Sequence, residues 1–486
     1  MSETQPLTKS YWPKDSTKPL LEMTVGQALQ KAAAQAPDHE ALVEAAPAGQ
    51  PSLTGARRTD RRWTYAELLN DATHCAHWLL QRFEPGQHLC VWAPNVPEWT
   101  ILQFGAALAG MVLVTANPAL RKDELEYVLK QSRCVGLFHV DRFRSTDMAA
   151  IAASLNTTAE IVSFTNWLEP LRKTQSSTPL PEVDPYSAAQ IQYTSGTTGE
   201  PKGALLHHMG LVTNAFYVQA RAHHGPGVLI NPMPLFHASG SAIITLGSVV
   251  TQSTMVLVAL FEPDLILTTT QEERGTLLAG VPTMQLALME QRSKKTYDIS
   301  SLQVIVSGGA PVSVALSQRV ETVLGVKLTT VYGQTELSPV VCQTSPTDSS
   351  EDKAETAGQP LWNAEVRIAD PANGKILPLG AEGEIQTRGY QVMLGYYDKP
   401  QATRDTITQA GWLRSGDLGT MDARGYLKVT GRLKDMIIRG GENIYPVEIE
   451  AVLAQHEAVA DVAVFGVPDP TWGEIVAAAI RFAPDA

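Results

Sequence analysis

Residues 193–203 (YTSGTTGEPKG) combine the residue types that can hold a phosphate group. The glycines let backbone N–H groups approach an anion, the Thr and Ser hydroxyls add donors, and Lys202 supplies a mobile positive charge. The order is not that of a Walker loop, because Gly-Lys-Ser/Thr does not follow the required spacer. A surface linker is the alternative, but residues 188–193 predict a strand before the run and residues 204–214 predict a helix after it. A strand, a glycine-rich turn and a helix favour a phosphate site.

Three further segments place chemically useful groups near the ends of predicted strands or turns. Glu336, in the run 332–336, can hold Mg²⁺ against nucleotide phosphates, although acids are also common at the start of any helix. The backbone of residues 307–311 can lie against a flat ring or an acyl chain, or it can form only a tight turn. Asp417 can accept both hydroxyls of a ribose, or it can be an ordinary solvated acid. The residues alone leave these alternatives open.

The run 193–203 resembles the phosphate-binding loop of the adenylate-forming enzymes, a superfamily of acyl-CoA synthetases, luciferases and peptide-synthetase adenylation domains. The similarity continues through residues 332–336, 412–417 and 431–435. The nucleotide contacts that the resemblance implies are Thr194, Ser195, Gly196, Thr197, Thr198, Gly199, Lys202, Gly309, Ala310, Pro311, Tyr332, Gly333, Thr335, Asp417 and Arg432.

The resemblance also implies individual roles within this set. Tyr332 would lie near adenine, Thr335 would contact phosphate, and Glu336 would be the magnesium ligand. Arg432 would contact the ribose or a phosphate, and Lys434 would be the hinge about which a small domain pivots. The implied catalytic set is Thr194, Lys202, His237 and Glu336.

Residues 232–240 bear on which acid is activated. Amino-acid-activating relatives have an aspartate after the phenylalanine of this motif to neutralise the substrate ammonium, whereas this chain has His237. A buried ammonium without a partner is costly, so amino acids are disfavoured. The resemblance implies that His237 borders the substrate carboxylate, although a packed core histidine is the alternative. The expected acyl pocket comprises His237, Ala238, Ser239, Gly240, Gly309 and Val340.

A more specific resemblance, to the medium-chain acyl-CoA synthetases, rests on residues 388–397 and 434–446 and extends over nearly the whole chain. It implies a carboxylic acid, ATP and CoA as substrates and Mg²⁺ as the metal. The resembled enzymes carry a Pro-x-x-x-x-Gly-Lys segment whose lysine bridges the carboxylate and the α-phosphate. This sequence does not contain that segment, so we expect impaired adenylation by the 486-residue chain. An acyl-AMP ligase, an aryl-acid ligase and a non-enzymatic nucleotide-binding module are the competing hypotheses.

The elements that must position these groups belong to an α/β fold. Apolar runs alternate with helical patterns, which predicts two doubly wound lobes, over residues 1–185 and 186–343. Short alternating strands over 344–433 predict a small β-barrel that completes a large domain. Residues 434–486 predict the first part of a small α+β domain, which we expect to be incomplete.

Composition narrows the partners. The formal charge of −12 and the lack of a basic stripe exclude nucleic acid as an expected partner. Residues 1–10 contain no apolar signal region and residues 239–261 are interrupted by polar side chains, so we expect a cytoplasmic protein without stable membrane insertion. The four scattered cysteines indicate buried free thiols. The oligomeric state is not readable from the sequence, and a homodimer is one hypothesis.

Overall fold

The computed structural model of the chain describes residues 6–46, 52–54, 61–194, 201–222, 225–439, 442–444, 446–469 and 472–483. The strands are β1 (Tyr11–Trp12), β2 (Glu40–Ala45), β3 (Arg62–Thr64), β4 (His88–Trp92), β5 (Val112–Ala116), β6 (Cys134–His139), β7 (Arg142–Phe143), β8 (Thr146–Asp147), β9 (Glu160–Ser163), β10 (Ala188–Thr194), β11 (Lys202–His207), β12 (Val228–Asn231), β13 (Thr254–Val258), β14 (Leu277–Gly280), β15 (Val304–Ser307), β16 (Lys327–Gly333), β17 (Val340–Gln343), β18 (Gln359–Pro360), β19 (Ala364–Ala369), β20 (Gly383–Gly389), β21 (Gly395–Tyr396), β22 (Leu413–Met421), β23 (Leu427–Arg432), β24 (Ile437–Arg439), β25 (Glu442–Ile444), β26 (Val459–Asp469) and β27 (Gly473–Phe482).

The helices are α1 (Val25–Gln35), α2 (Tyr65–Leu80), α3 (Pro97–Leu108), α4 (Lys122–Gln131), α5 (Met148–Ala153), α6 (Leu168–Arg172), α7 (His208–Ala222), α8 (Thr245–Val250), α9 (Pro263–Glu272), α10 (Pro282–Lys294), α11 (Val314–Arg319), α12 (Ser350–Glu355), α13 (Pro400–Thr406) and α14 (Pro446–Leu453). Single π-helical turns occupy Ser239–Ile244 and Val320–Leu324, and a 3₁₀ turn occupies Thr335–Leu337.

Local sequence signals account for several of these helix starts. Thr64 caps α2 by accepting a hydrogen bond from the Glu67 N–H at 3.2 Å, and the Glu67 carboxylate accepts one from the Thr64 N–H at 2.8 Å. Thr24 and Gln27 form the same reciprocal pair at the start of α1. These capping boxes satisfy backbone donors that the first helical turn would leave unpaired.

Two mixed sheets form the body of the molecule. One has the order β21-β11-β10-β5-β4-β6-β9, and the other has the order β18-β17-β16-β15-β14-β12-β13-β2-β3. Their central strands are parallel and connected through helices, as in doubly wound folds. The predicted mixed α/β fold is confirmed.

Sheet membership does not follow the predicted lobe boundary at residues 185/186. The strands β10 and β11 pair within the first sheet, although they lie beyond the boundary. The strands β2 and β3 join the second sheet through β13, although they come from the first lobe. The lobes therefore exchange strands, which a reading of contiguous segments could not anticipate.

The predicted β-barrel over residues 344–433 is an antiparallel sheet of different composition. Its order is β1-β19-β20-β22-β23, so Tyr11–Trp12 from near the N-terminus supplies an edge strand. Among the described residues β1 and β23 do not pair, so the sheet is open rather than closed into a barrel. Residues 437–482 form a separate sheet, β25-β24-β27-β26, with α14 against β26.

The main hydrophobic core contains residues from both large sheets, and its largest fully buried side chains include Trp92, Trp99 and Tyr65. Cys75, Cys90, Cys134 and Cys342 are all buried and free, as predicted. Within the described ranges, no helix combines the length and the apolarity that a bilayer crossing requires. The apolar stretch 239–261 instead forms a π-helical turn, α8 and β13.

Candidate active site

The described ends of the predicted phosphate run lie on two neighbouring strands. The strands β10 and β11 are antiparallel, and Thr194 stands opposite Lys202. The Thr194 hydroxyl donates to the Lys202 carbonyl oxygen at 3.4 Å. The remaining predicted phosphate contacts of this run, Ser195, Gly196, Thr197, Thr198 and Gly199, lie outside the described residues.

The helix predicted over residues 204–214 is wrong in its first part. The segment Lys202–His207 is a strand, and α7 begins only at His208. Cross-strand pairing decides the conformation, and a Cβ at position 203 would meet Ile191 Cγ2 at 2.6 Å, so Gly203 permits this close approach. The strand β11 therefore separates the run from the N-terminus of α7.

Helix α4 contacts residues beside the facing ends of β10 and β11. The Tyr127 hydroxyl donates to the Pro201 carbonyl oxygen at 2.9 Å, and the Gln131 side chain is hydrogen-bonded to the Tyr193 hydroxyl. The Gln131 amide also donates at 2.9 Å to the carbonyl oxygen of Tyr397, the residue after β21. Sequence reasoning missed these residues because an amphipathic helix carries no signal for what its polar face contacts.

Glu336 lies in the 3₁₀ turn after β16 and is held by the segment that leads into β21. The Tyr396 hydroxyl donates to Glu336 Oε1 at 2.7 Å, and the Met393 N–H donates to the Glu336 carbonyl oxygen at 2.9 Å. Lys202 Nζ lies 5.3 Å from the centroid of the Tyr396 ring, within range of a cation–π contact. Burial and the nearby Glu336 carboxylate raise the pKa of Tyr396, so its hydroxyl remains a donor.

The donor set around Glu336 fits Mg²⁺. Its side chain is buried, Oε1 carries the hydrogen bond from Tyr396, and Oε2 accepts no hydrogen bond from a described residue. No cluster of three or more His, Cys, Asp and Glu side chains suited to a metal occurs in the part of the chain that the structure describes. A single carboxylate suits Mg²⁺, which usually keeps waters and takes substrate phosphate oxygens for the rest of its ligands.

A second polar group joins the end of β16 to the antiparallel sheet. The Tyr332 hydroxyl donates to Asp417 Oδ2 at 2.8 Å, and Arg432 Nε lies 3.3 Å from Asp417 Oδ1. Asp417 and Arg432 are register partners in β22 and β23. Burial raises the pKa of Asp417, and the hydrogen bonds and charges of Tyr332 and Arg432 oppose that rise. Tyr332 and Glu336 are four residues apart. The group of Tyr332, Asp417 and Arg432 is therefore next to the group that Tyr396 forms with Glu336 and Lys202.

The glycine-rich segment after β15 runs beside these residues, because β15 and β16 are parallel neighbours. A Cβ at position 308 would meet Val331 Cγ2 at 2.6 Å, so close packing favours glycine there. Gly309 has a φ of +79°, a backbone conformation that glycine adopts without strain. Gly333 is likewise obligatory, since a Cβ there would meet the Pro339 carbonyl oxygen at 1.9 Å. Beyond β15, the segment exposes three predicted contacts, Gly309, Ala310 and Pro311.

The segment that carries His237 is fastened between the two large sheets. The Asn95 amide donates to the carbonyl oxygens of Met233 and Val258, at 3.0 Å each, and its oxygen accepts from the Leu235 N–H at 2.9 Å. Asn95 follows β4 of one sheet, and Val258 ends β13 of the other. The position of His237 is therefore set by both sheets. Asn95 lies two residues before α3, which begins at Pro97.

The His237 side chain makes no hydrogen bond to a described residue and is open to solvent. The protein atoms crowded around the rest of the ring, including the Phe236 ring at 4.2 Å between centroids, desolvate it and lower its pKa. Ala238 and Gly240 are buried behind it, and a Cβ on Gly240 would meet the Pro234 carbonyl oxygen at 2.4 Å. A neutral imidazole thus stands at the mouth of a tightly packed turn that also includes the half-buried Ser239.

Val340, the remaining predicted acyl contact, is buried and held by an amide that sequence reasoning missed. Asn214 Nδ2 donates to the Val340 carbonyl oxygen at 2.7 Å, and Asn214 Oδ1 accepts from the Val340 N–H at 3.1 Å. The same amide nitrogen donates to the Tyr390 hydroxyl at 3.0 Å. Lys434, the predicted hinge, is exposed in the turn between β23 and β24.

Comparison with known proteins supplies the family. Residues 29–397 match the AMP-binding enzyme family, and residues 448–485 match the AMP-binding enzyme C-terminal domain. YngI of Bacillus subtilis, provisionally named an acyl-CoA synthetase, is 38% identical, with 95% of this chain and 88% of that protein covered. The mitochondrial medium-chain acyl-CoA ligase ACSF2 of Danio rerio is 33% identical, with 98% and 82% covered.

Among solved structures, ATP-bound MatB from Rhodopseudomonas palustris superposes with a TM-score of 0.83 at 27% identity, with 96% of this chain and 90% of MatB covered. The chain therefore belongs to the AMP-binding enzyme family of the adenylate-forming superfamily, within which it is an ATP-dependent, AMP-forming acyl-CoA synthetase.

Proposed function

We propose that this acyl-CoA synthetase activates a medium-chain fatty acid and transfers it to CoA, using the residues described above in the roles that the sequence predicts. The observation that carries the choice of acid is His237, a neutral imidazole that makes no hydrogen bond to a described residue. It stands at the position where amino-acid-activating relatives have an aspartate. A neutral donor suits a carboxylate, and no negative charge stands there to pair with an ammonium.

The nucleotide would lie across the ends of β15 and β16. The Tyr332 ring and the exposed backbone of residues 309–311 would contact adenine, and Asp417 would accept hydrogen bonds from the ribose hydroxyls. Arg432 would contact the ribose or a phosphate. Thr194 and Lys202 stand where β10 and β11 open, so they would donate to the phosphate oxygens.

In the first step, a carboxylate oxygen of the fatty acid attacks the α-phosphorus of ATP, and the bond to the bridging oxygen breaks to release pyrophosphate. Lys202 and the other donors of residues 194–202 would stabilise the charge that develops on the phosphorus oxygens. Glu336, whose Oε2 accepts no hydrogen bond from a described residue, would hold Mg²⁺, which supplies further positive charge against the phosphates. His237 would orient the attacking carboxylate by hydrogen bonding.

In the second step, the thiolate of CoA attacks the carbonyl carbon of the acyl-AMP, and AMP leaves with the electron pair of the carbon–oxygen bond. Room for CoA would come from rotation of the domain that begins after Arg432, with Lys434 as the hinge. The exposure of Lys434 in a short turn supports that role.

The medium-chain preference is supported by the printed activity of the ACSF2 relatives and by the acyl contacts themselves. Ala238, Gly240 and Val340 are buried and carry no charge, so an alkyl chain would gain about 0.8 kcal/mol for each buried methylene.

The test is acid-dependent pyrophosphate release and acyl-CoA formation with straight-chain acids of graded length, aromatic acids and amino acids. We expect both products to peak with medium-chain acids, to need CoA for the thioester, and to be absent with amino acids. His237→Asp should lose activity with every acid, because the carboxylate of the introduced aspartate would repel the carboxylate of the substrate. An optimum with aromatic acids, or transfer to a carrier protein instead of CoA, would contradict the proposal.

Two further expectations remain predictions. A cytoplasmic location is tested by fractionation, and a homodimer by light scattering of the purified protein.

A further inference from the structure

Tyr396 contacts both charged side chains that the proposed function assigns to the phosphates. Its hydroxyl donates to Glu336 Oε1 at 2.7 Å, and its ring centroid lies 5.3 Å from Lys202 Nζ. The pairing of β21 with β11 explains this position, because Tyr396 stands opposite Ala204, two residues beyond Lys202 on the same strand. One side chain thus spans from the hairpin strand to the turn after β16.

We propose that Tyr396 is a positioning residue that holds Glu336 and Lys202 apart and oriented for Mg·ATP, an inference that rests on the proposed function. Lys202 and Glu336 carry opposite charges, yet Lys202 forms no ion pair with any residue that the structure describes. A direct pair would have to be broken before either side chain could meet the nucleotide. The hydrogen bond and the cation–π contact stabilise the separated arrangement instead.

The hydrogen bond also selects which carboxylate oxygen is available. With Oε1 engaged by Tyr396, the carboxylate cannot rotate freely, and Oε2 is the oxygen left for a cation. Groups that orient a metal ligand in this way commonly change metal affinity or activity by about 10- to 100-fold when they are removed.

A purely structural role for Tyr396 makes a different prediction. Replacing the Tyr396 side chain leaves its main-chain contacts in place. The Tyr396 N–H donates to Thr403 Oγ1 at 2.9 Å, and β21 pairs with β11 through main-chain groups. Tyr396→Phe keeps these contacts and the ring and removes only the hydroxyl. A structural role would therefore appear as lower stability, without a specific effect on the metal-dependent part of ATP binding.

The test measures the Kd for ATP by calorimetry in excess Mg²⁺ and in excess EDTA. We expect Tyr396→Phe to weaken ATP binding at least about tenfold in Mg²⁺ and to leave the value in EDTA unchanged. The matched control is Tyr397→Phe, which removes the neighbouring hydroxyl. The Tyr397 ring packs against His88 at 4.8 Å, its hydroxyl has no hydrogen bond to a described residue, and this variant should bind as the wild type does.

A Tyr396→Phe protein that binds Mg·ATP like the wild type, or that loses affinity equally in EDTA, would overturn the inference while leaving the proposed function intact. A double-mutant cycle with Glu336→Gln distinguishes an effect that acts through the Tyr396–Glu336 hydrogen bond from a general loss of folding. Tyr396→Phe should have little further effect in the Glu336→Gln background, and a full additive effect would count against the positioning role. Failure of the wild type itself to bind Mg·ATP would overturn the proposed function and this inference together.

Discussion

The Tyr332 hydroxyl donates a hydrogen bond to Asp417 Oδ2 at 2.8 Å and so joins the end of β16 to β22 in the antiparallel sheet. Arg432 lies against the other carboxylate oxygen, with Nε 3.3 Å from Oδ1. Both contacts oppose the rise in pKa that burial imposes on Asp417. Both carboxylate oxygens of Asp417 are consequently held in place, and the proposed function assigns them to the ribose hydroxyls.

Tyr332→Phe is expected to weaken AMP binding about tenfold, because a hydrogen bond to a charged group is worth about 1.5–3 kcal/mol. Ionised Asp417 would accept the ribose hydroxyls, so binding should weaken as the pH falls through its pKa. In Tyr332→Phe that decline should begin at a higher pH, since one contact that lowers the pKa is gone. Calorimetric titration with AMP over a pH series measures both effects.

The control is Tyr426→Phe. Tyr426 immediately precedes β23, and its hydroxyl donates to Asp348 Oδ1 at 2.9 Å. An AMP-binding pH profile for Tyr332→Phe that coincides with those of the control and the wild type would rule out the assigned role of Asp417.

Arg61 is buried between two carboxylates that belong to different parts of the fold. Its Nε lies 2.8 Å from Glu44 Oε2 on β2, and its Nη1 and Nη2 donate to the carboxylate of Glu98 on α3 at 2.7 and 2.8 Å. Arg61→Ala should lower the free energy of unfolding by about 3–5 kcal/mol, since it leaves buried charges uncompensated. Urea denaturation measures the loss.

The neighbouring Arg62 provides the comparison, because it also contacts two glutamates, Glu40 and Glu273, but is 43% exposed. Arg62→Ala should cost no more than about 1 kcal/mol, as exposed ion pairs do. Equal losses of unfolding free energy in Arg61→Ala and Arg62→Ala would show that burial does not determine how much the Arg61 ion pairs stabilise the fold.

His208 should make stability depend on pH. Burial lowers its pKa from 6.5 to about 4, and its Nδ1 accepts a hydrogen bond from the Val25 N–H at 3.3 Å. The unfolded chain therefore binds more protons between these pH values, so the contribution is present above pH 6.5 and is lost as the pH falls. Over the whole interval the loss is about 3 kcal/mol.

His208→Asn should flatten the decline in unfolding free energy over this acidic interval, as followed by urea denaturation at several pH values. His456→Asn alters an exposed histidine and should leave the slope unchanged. A His208→Asn protein with the wild-type slope would show that another group causes the acid sensitivity.

Val340 should help to set the chain length that the enzyme accepts. Val340→Leu should move the optimum to shorter acids and Val340→Ala to longer ones, with about a fourfold change in kcat/KM for each methylene gained or lost. The measurement is kcat/KM for each variant over the series of straight-chain acids. The same two substitutions at the exposed Val323 should leave the chain-length preference unchanged. If Val340→Leu and Val340→Ala moved the preferred chain length in the same direction, Val340 would not act through its size.

The sequence predicts most of the elements because their signals are local. The Thr64–Glu67 capping box lies at the start of α2, and the strand predicted over 188–193 has the bounds Ala188–Thr194. The segment 204–207 was misassigned because an apolar run of that length fits either a strand or a helix, and pairing with β10 decides between them. Strand exchange between the large sheets is equally non-local.

The candidate site also contains both residues that local motifs predict and residues that only distant contacts reveal. Glu336, Asp417 and Lys202 were predicted from motifs that carry their chemistry, and the described contacts bring Asp417 and Arg432 together. Tyr396 and Asn214 were not predicted as site residues, because a tyrosine after a glycine and a buried amide have no function that their neighbours in sequence reveal. Their importance comes from partners 60 and 126 residues away.

The central claim is that Thr194, Lys202, Glu336, Asp417 and Arg432 bind one Mg·ATP. The most direct measurement is a crystal structure with a non-hydrolysable ATP analogue and Mn²⁺, in which anomalous scattering locates the metal. The account predicts the ribose hydroxyls on Asp417, the phosphates beside Lys202 and Thr194, and the metal on Glu336. A nucleotide bound elsewhere, or a metal without Glu336 among its ligands, would contradict it.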